Sequence, residues 1–565
     1  MLKGIAASDG YGIGKVLVVK TADLSFESKT SCDKAEETKR YETAVAKFCE
    51  DTQAAAARVR VSAGEKEAEI ITGHILMIQD PYMDSEIRRH IDEGECAESA
   101  VSAVCDMFIG MFGAADEELI RQRATDVADI KTGVLSIMLG RETTDISAAP
   151  AGTVLVADDL TPSMTSGIVK QNIAAIITQI GGRTSHSAIL ARAMEIPAVL
   201  SVPNAVSILS DGTDVIVDGC RGEVIAEPTG AEVAGYSAKR DKFNEERAAL
   251  VKFIGKPTVT ADGAHRELVC NVGKDDDIRR ALEKDGEGIG LFRTEFMFMD
   301  KSSAPSEDEQ FETYKKAAVS MKGKPVIIRT LDIGGDKDVP YLGMKKEQNP
   351  FLGFRAVRFC LHDPEFYKTQ LRAIIRASAF GDVRIMIPLV TNVEEVRAVR
   401  RLCVSIMKEF SKKGIEYNKD IKIGVMTETP AAAIIADLLA SEADFFSIGT
   451  NDLTQYTMAV DRGNPDVAYL YSTYDPAVLR SVKRIIDAAH SAGIPVGMCG
   501  EAAADKKMIP LLISFGLDEF SVNPASVLEV RKCISQWNKK DADELTEKVM
   551  SLPTQAEVLS ALEGI

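Results

Sequence analysis

Eight short apolar runs, spread through residues 258–565 with amphipathic segments between them, limit this chain more than any other feature. They are Glu267–Asn271, Gly288–Phe292, Val326–Arg329, Val383–Pro388, Ile421–Met426, Phe445–Ile448, Pro495–Met498 and Glu519–Val522. Continuous apolar runs of this length read as strands buried on both faces, the state of a parallel sheet covered by helices. Eight strand–helix units in about 300 residues match the size of a closed (β/α)8 TIM barrel. The alternative is an open doubly wound sheet. The residues at the strand exits favour the barrel. Arg293 comes after GIGLF, Arg329 ends PVIIR, Glu428 comes after IGVMT, Asn451 and Asp452 come after FFSIGT with Arg462 ten residues on, and Cys499 ends PVGMC. In a barrel these all point into the mouth at the C-terminal face, where barrel chemistry occurs.

Charge assigns their roles. Guanidinium forks suit phosphate and carboxylate oxygens. Glu428 and Asp452 are hard oxygen ligands suited to a Mg2+ that keeps water and substrate oxygens in its shell. Cation and arginines together would stabilise charge on a transferring phosphoryl group, and Cys499 could deliver a proton. Any one of these residues alone reads equally well as a structural ion pair at a strand end; the set does not.

A second constellation lies at Ile180–Val199, IGGRTSHSAILARAMEIPAV. Two glycines close the apolar run Ala174–Thr178, and helical spacing resumes in Ile189, Leu190, Ala193 and Met194. His186 falls at the turn-to-helix junction. Unpaired N–H groups and the positive end of a helix dipole favour a phosphate there, and a neutral imidazole is a competent nucleophile. The bland alternative is an ordinary polar residue in a helical first turn.

The rest of the chain frames these two sites. Residues 1–20 read as a β-hairpin or paired strands, with Lys15–Val19 the strand candidate; GYGIG lacks the spacing and the downstream helix of a dinucleotide fingerprint. Between Ser31 and Arg141 glycine and proline become scarce and helical spacing dominates, broken by Asp80-Pro81, Gly94 and Gly113 into about four helices, most economically a bundle. His74 within it reads as a packing or capping residue. Strand candidates return at Val154–Ala157, Ala174–Thr178, Ala198–Leu200 and Asp214–Asp218, so an α/β domain presenting His186 is expected, joined by residues 1–20 and interrupted by the bundle. Residues 230–256 form a polar, helical linker. The expected division is therefore 1–30 plus 142–229 as an α/β domain, 31–141 as an inserted helical subdomain, 230–257 as a linker helix and 258–565 as the barrel.

Composition excludes other classes. A net charge of −18 opposes nucleic acid and anionic membranes. No apolar run approaches the roughly 20 residues of a membrane span, and MLKGIAASDGYGIGKVLVV lacks the core of a signal peptide. Ten cysteines without a CxxC pair suit a reducing cytosol, so a cytoplasmic protein is expected.

The motifs carry a resemblance. GGRTSH with ARAMEIPAV after it resembles the phosphohistidine signature of the phosphoenolpyruvate (PEP)-utilising enzymes, a family that includes enzyme I of the bacterial sugar phosphotransferase system (PTS), pyruvate phosphate dikinase and PEP synthase. LFRTEFMFMD, RTLDIGGDK, NPFLGFRAVR, GVMTETPAAA, FFSIGTNDLTQYTMAVDRGN, GMCGEAA and GLDEFSV each look like enzyme I, in the expected order and over nearly the whole chain. The resemblance implies a swivelling domain phosphorylated on His186, with Thr165 contacting the histidine. It implies PEP binding by Arg293, Arg329, Arg462, Asn451 and the Asp452 backbone, with Arg358 and Lys337 lining the site. Glu428 and Asp452 become the Mg2+ ligands and Cys499 the proton donor to the enolate, giving pyruvate. The helical subdomain would dock the phosphocarrier HPr, and the barrel would form a homodimer. The activity implied is phosphoryl transfer from PEP to His186 and then to HPr, the first step of PTS sugar uptake. Two alternatives stand beside it. One is a dikinase or synthase relative, disfavoured because about 145 residues precede the histidine-bearing segment and no Walker A pattern appears. The other is a PEP-sensing scaffold with a dead barrel, disfavoured because every main site residue is present.

Overall fold

The computed structural model of the chain describes residues 1–19, 24–28, 33–62, 65–113, 118–141, 146–160, 164, 168–182, 185–299, 301, 303–334, 339–345, 347–464 and 466–564. The chain divides into two compact units, Met1–Arg247 and Ala248–Ile565.

The first unit contains a helical part and an α/β part. The helical elements are α1 (Lys34–Ser62), α2 (Glu65–Ile78), α3 (Pro81–Asp92), α4 (Ala97–Gly113) and α5 (Glu118–Leu139). Five are described where about four are expected, because the first long helical run is described as two elements. The break at Asp80-Pro81 is a capped start. The Asp80 carboxylate accepts from the N–H groups of Tyr82 and Met83 at 2.9 and 3.2 Å, and Pro81 takes the first helical position, where no N–H is needed. Apolar faces meet in one core around Tyr41, Ile78, Ile87, Val101, Val104 and Val134. His74 is buried there, its ring nitrogens 3.6 and 3.7 Å from carboxylate oxygens of Asp126 and Asp129.

The α/β part is an eight-stranded mixed sheet: β1 (Leu2–Lys3), β2 (Ile5–Ser8), β3 (Tyr11–Val19), β4 (Thr153–Ala157), β5 (Ile173–Thr178), β6 (Ala198–Leu200), β7 (Asp214–Asp218) and β8 (Glu223–Ala226). Their order is β1-β8-β7-β3-β4-β5-β6-β2. Residues 1–20 join this sheet as expected, but the hairpin or strand pairing expected within them is corrected: β1 pairs with β8, β2 with β6, and β3 with both β4 and β7. The glycines of GYGIG explain the difference. They lie in and beside β3, where a Cβ on Gly14 would collide with the carbonyl oxygen of Gly152 and one on Gly12 with that of Ala174. They let a central strand pack closely against its surroundings. Alternate residues of β4 and β5 feed two cores, Leu155 and Ile176 on one face, Val154, Val156 and Ile177 on the other. Helix α6 (His186–Met194) covers the first face through Ala188 and Ala191. A long helix, α7 (Gly230–Leu250), comes next and buries none of its residues.

The second unit is a closed parallel barrel of β9 (Glu267–Val272), β10 (Ile289–Arg293), β11 (Val326–Arg329), β12 (Val383–Ile387), β13 (Ile423–Thr427), β14 (Phe446–Ile448), β15 (Val496–Met498) and β16 (Glu519–Val522), with β16 pairing back onto β9. All eight expected strands form, and closure decides for the barrel over the open sheet. Among the described residues no helix is long and apolar enough to cross a membrane, and the nine described cysteines are all free.

Candidate active site

The strand ends deliver the expected side chains to one end of the barrel. Arg293 and Arg329 are the last residues of β10 and β11, Glu428 and Cys499 come directly after β13 and β15, and Asn451 and Asp452 open the helix Thr450–Met458 after β14. They enclose a buried charge network. Arg329, 9% exposed, places its Nη2 2.6 Å from Glu295 Oε1 and its Nη1 2.9 Å from Asp332 Oδ2. Arg355, 5% exposed, reaches Asp332 Oδ1 at 2.6 Å and Asp452 Oδ2 at 3.3 Å. Arg462 approaches the other Asp452 oxygen at 3.5 Å. The Nε atoms of Arg329 and Arg355 and Oε2 of Glu295 find no hydrogen-bond partner among the described residues. Donors held in a buried site in this way have capacity left for an oxyanion.

Glu428 is 2% exposed, and its Oε1 accepts the Leu389 N–H at 2.6 Å. Leu389 takes a left-handed φ of 55° where the chain leaves β12, a conformation unusual for leucine that presents its amide to the carboxylate. Burial, reinforced by the charges of Asp452 and Asp332, pushes the Glu428 carboxyl up to about 8. Glu295, Asp332, Glu428 and Asp452 gather around Arg329, Arg355 and Arg462, and the raised Glu428 carboxyl shows that these guanidiniums alone do not hold all four acids ionised. This is the setting in which carboxylates hold a divalent cation. Glu428 and Asp452 fit that role: the Asp452 contacts to arginine are the longest of the network, which leaves its oxygens the least committed. Among the described residues no group of three or more His, Cys, Asp or Glu side chains could enclose a metal. A Mg2+ that takes two protein carboxylates and fills its shell with water and substrate oxygens needs no such group.

Beside the network lies a cavity of about 410 Å3 lined by Asn271, Arg293, Asn451, Cys499, Glu501 and Asn523, among others. The Cys499 thiol is buried and donates to the Ile448 carbonyl at 3.8 Å. Burial pushes it up to about 11, so it keeps its proton at neutral pH and is fit to donate it. Asn451 is oriented by the Glu501 N–H, which donates to its Oδ1 at 3.2 Å.

Arg358 donates from its Nη1 to the carbonyls of Leu352 and Gly353 at 3.0 and 3.1 Å. The arginine joined to the charge network is Arg355, which sequence reasoning missed together with Glu295, Asp332 and Leu389. Lys337 and Thr165 lie outside the described residues.

In the first unit His186 is the opening residue of α6; its side chain lies outside the described residues. Ser185 caps the helix, its Oγ accepting the Ala188 N–H at 3.3 Å, and Ser187 turns inward to donate to Asp159 at 2.6 Å. The sequence therefore places the histidine at the positive end of a capped helix.

Comparison with known proteins finds three family domains along the chain. The PEP-utilising enzyme N-terminal domain matches residues 3–123, the mobile domain residues 149–222 and the PEP-binding domain residues 247–539. A phosphoenolpyruvate-protein phosphotransferase of Bacillus sp. (strain S) is 45% identical over 560 residues, covering 99% of this chain and 97% of its own length. One from Priestia megaterium is 43% identical, covering 100% and 98%. A solution structure described as Enzyme I (nEIt) is 31% identical over 43% of this chain and all of its own, at a TM-score of 0.40. With full-length identity of this order and all three domains in sequence, the chain belongs to the phosphoenolpyruvate-protein phosphotransferases of the PEP-utilising enzyme family.

Proposed function

We propose that the chain transfers the phosphoryl group of PEP to its own His186, releases pyruvate, and passes the phosphoryl group to a histidine of a small HPr-like phosphocarrier, the opening step of PTS sugar uptake. The observation that carries this reading is the barrel mouth, where buried arginines with unused donors face a thiol that stays protonated. Arg293, Arg329, Arg355 and Arg462 hold the phosphate and carboxylate of PEP, and Asn451 adds an amide donor. In-line attack by the imidazole of His186 breaks the bond between phosphorus and the enol oxygen. The enolate left behind is stabilised by the arginines and takes the Cys499 proton on its methylene carbon, forming pyruvate. Glu428 and Asp452 hold Mg2+, which supplies further charge neutralisation when bound.

The division into an α/β domain, a helical insert, a linker and a barrel is part of this proposal, with α7 linking a histidine-bearing unit that swings to a barrel that binds PEP. Leu76, Tyr82, Met107 and Met111 expose apolar surface on α2, α3 and α4, which supports docking of a protein carrier there. Exposed Leu352 and Tyr469 on the barrel unit support self-association into a homodimer. The free cysteines support a cytoplasmic setting. The dikinase and sensor alternatives have no observation in their favour.

The test is incubation with phosphate-labelled PEP and Mg2+, comparing the protein with His186→Ala. Acid-labile, alkali-stable label on the native chain alone is expected, and HPr should then remove it. Label persisting on the variant would move the nucleophile elsewhere.

A further inference from the structure

Arg531 is among the largest fully buried side chains, 1% exposed, on the barrel helix Val527–Gln536, and it lies far from the mouth in its connections. Its Nε donates to Thr258 Oγ1 at 3.0 Å, its Nη1 to the Phe253 carbonyl at 2.9 Å and to Asp285 Oδ2 at 3.1 Å, and its Nη2 to the Asp285 carbonyl at 2.6 Å. Asp285 also accepts the Gly255 N–H at 2.8 Å, and Glu287 accepts the N–H and hydroxyl of Thr258 at 3.1 and 2.8 Å. Asp285 and Glu287 precede β10, at the N-terminal end of the barrel strands. Every one of these partners lies in, or binds, residues 253–258, the strap by which the chain enters the barrel.

The preceding helix, which buries none of its residues, is held to the α/β part along its middle and in its last turn. The Arg247 guanidinium pairs with Glu195 at 2.5 Å, and Tyr236 and Phe243 stand edge-on to Tyr11, with ring centroids 6.0 and 5.9 Å away. Glu195 is the C-cap of α6, the helix that His186 opens. Between the two anchorages remain Ala248–Lys252, with Val251 61% exposed. They comprise the last turn of α7 and the start of a short 3-10 turn, the kind of element end that absorbs hinge rotation.

We propose that Arg531 is a positioning residue for the phosphoryl transfer: by pinning residues 253–258 to the barrel floor, it fixes where the connecting helix leaves the barrel and confines the freedom of the connection to Ala248–Lys252. A buried guanidinium satisfying two backbone carbonyls, a hydroxyl and a carboxylate is rigid in a way an apolar contact is not. A loosened strap adds orientations in which His186 does not meet PEP, and small misplacements of reacting groups are costly in rate. The inference rests on the reading that PEP bound in the barrel phosphorylates His186.

The test uses the full chain carrying Arg531→Gln. Rapid-quench labelling of His186 from labelled PEP should slow about tenfold or more. PEP affinity measured calorimetrically with Mg2+, and the rate at which the pre-phosphorylated chain loads HPr, should stay within about twofold. Arg531→Lys, which can keep the Phe253 and Asp285 contacts, should recover part of the rate. An unchanged labelling rate, or a loss that merely tracks weakened PEP binding, overturns the proposal. If Arg531→Gln does not fold, Thr258→Val removes the Nε acceptor and is read in the same way. Absence of label on the unsubstituted chain would instead defeat the underlying reading.

Discussion

The two ends of the barrel bury the same kinds of group in different company. At the mouth, Glu428 stands among Asp332, Asp452, Arg329 and Arg355 and accepts a backbone N–H, and Arg293, Asn451 and Cys499 line a cavity. At the floor, Glu519 opens β16 near Glu267 and Arg384, with Gly290 and Gly497 packed against its carboxylate, and its Oε1 finds no hydrogen-bond partner among the described residues. Both carboxyls are pushed up to about 8, first by burial and then by neighbouring negative charge. A displaced carboxyl therefore does not mark the working end. What distinguishes the mouth is the surplus of unused arginine donors and a thiol beside open space. The guanidinium nearest Glu519, that of Arg384, is already committed to Asp382 at 2.6 and 3.2 Å.

Substitutions should separate the two ends sharply. Glu428→Gln keeps an acceptor for Leu389 and removes the charge. PEP-dependent pyruvate release should fall by about 10^3-fold with the circular dichroism spectrum unchanged. A loss under tenfold would place the mouth and the floor in the same class. Cys499→Ala should slow turnover by about 10^2-fold while Mg2+ binding is spared; unchanged turnover removes the thiol as proton donor. Glu519→Gln should leave turnover alone and alter stability only. Its folded carboxyl titrates near 8 and its unfolded one near 4.3, so between these values the folded chain retains a proton that the unfolded chain releases. Stability is then full below about pH 4 and declines as pH rises toward 8. The variant should melt higher than the native barrel at pH 9, by about 2 °C or more, with the difference shrinking toward pH 5. A difference that does not change with pH would show that the floor glutamate is already solvated or paired.

The barrel is legible in the sequence because its eight strands are apolar throughout and their exits carry charge, a pattern with few alternative solutions. The charge network is legible only in part. Arg329, Glu428 and Asp452 lie at or just after strand ends, where spacing alone places them. Arg355 lies in NPFLGFRAVR, where two arginines stand three apart, and helical spacing offers no way to choose between them. The structure resolves the choice through Ala356, whose φ of 53° turns the chain immediately before the helix that starts at Val357. Arg355 and Arg358 consequently do not share a helical face. Glu295 and Asp332 escape a reading of the sequence because an acid near an arginine reads as a structural pair, and here each makes such a pair inside the site. In the first unit, GYGIG reads as punctuation before a strand, whereas close packing of β3 makes those glycines part of the strand itself.

That placement of β3 has a consequence for how the chain comes off the ribosome. Strand β3 ends at Val19, but its partners are β4, from Thr153, and β7, from Asp214. At about 5–20 residues per second of synthesis, the last partner emerges roughly 10–40 s after β3 does. In that interval all five bundle helices are made, and they can condense on local contacts while β3 waits as an unpaired, valine-rich edge. Nascent chains stalled before β7 should therefore hold a folded helical insert on an open sheet, the period in which this protein is most exposed to chaperones and to aggregation.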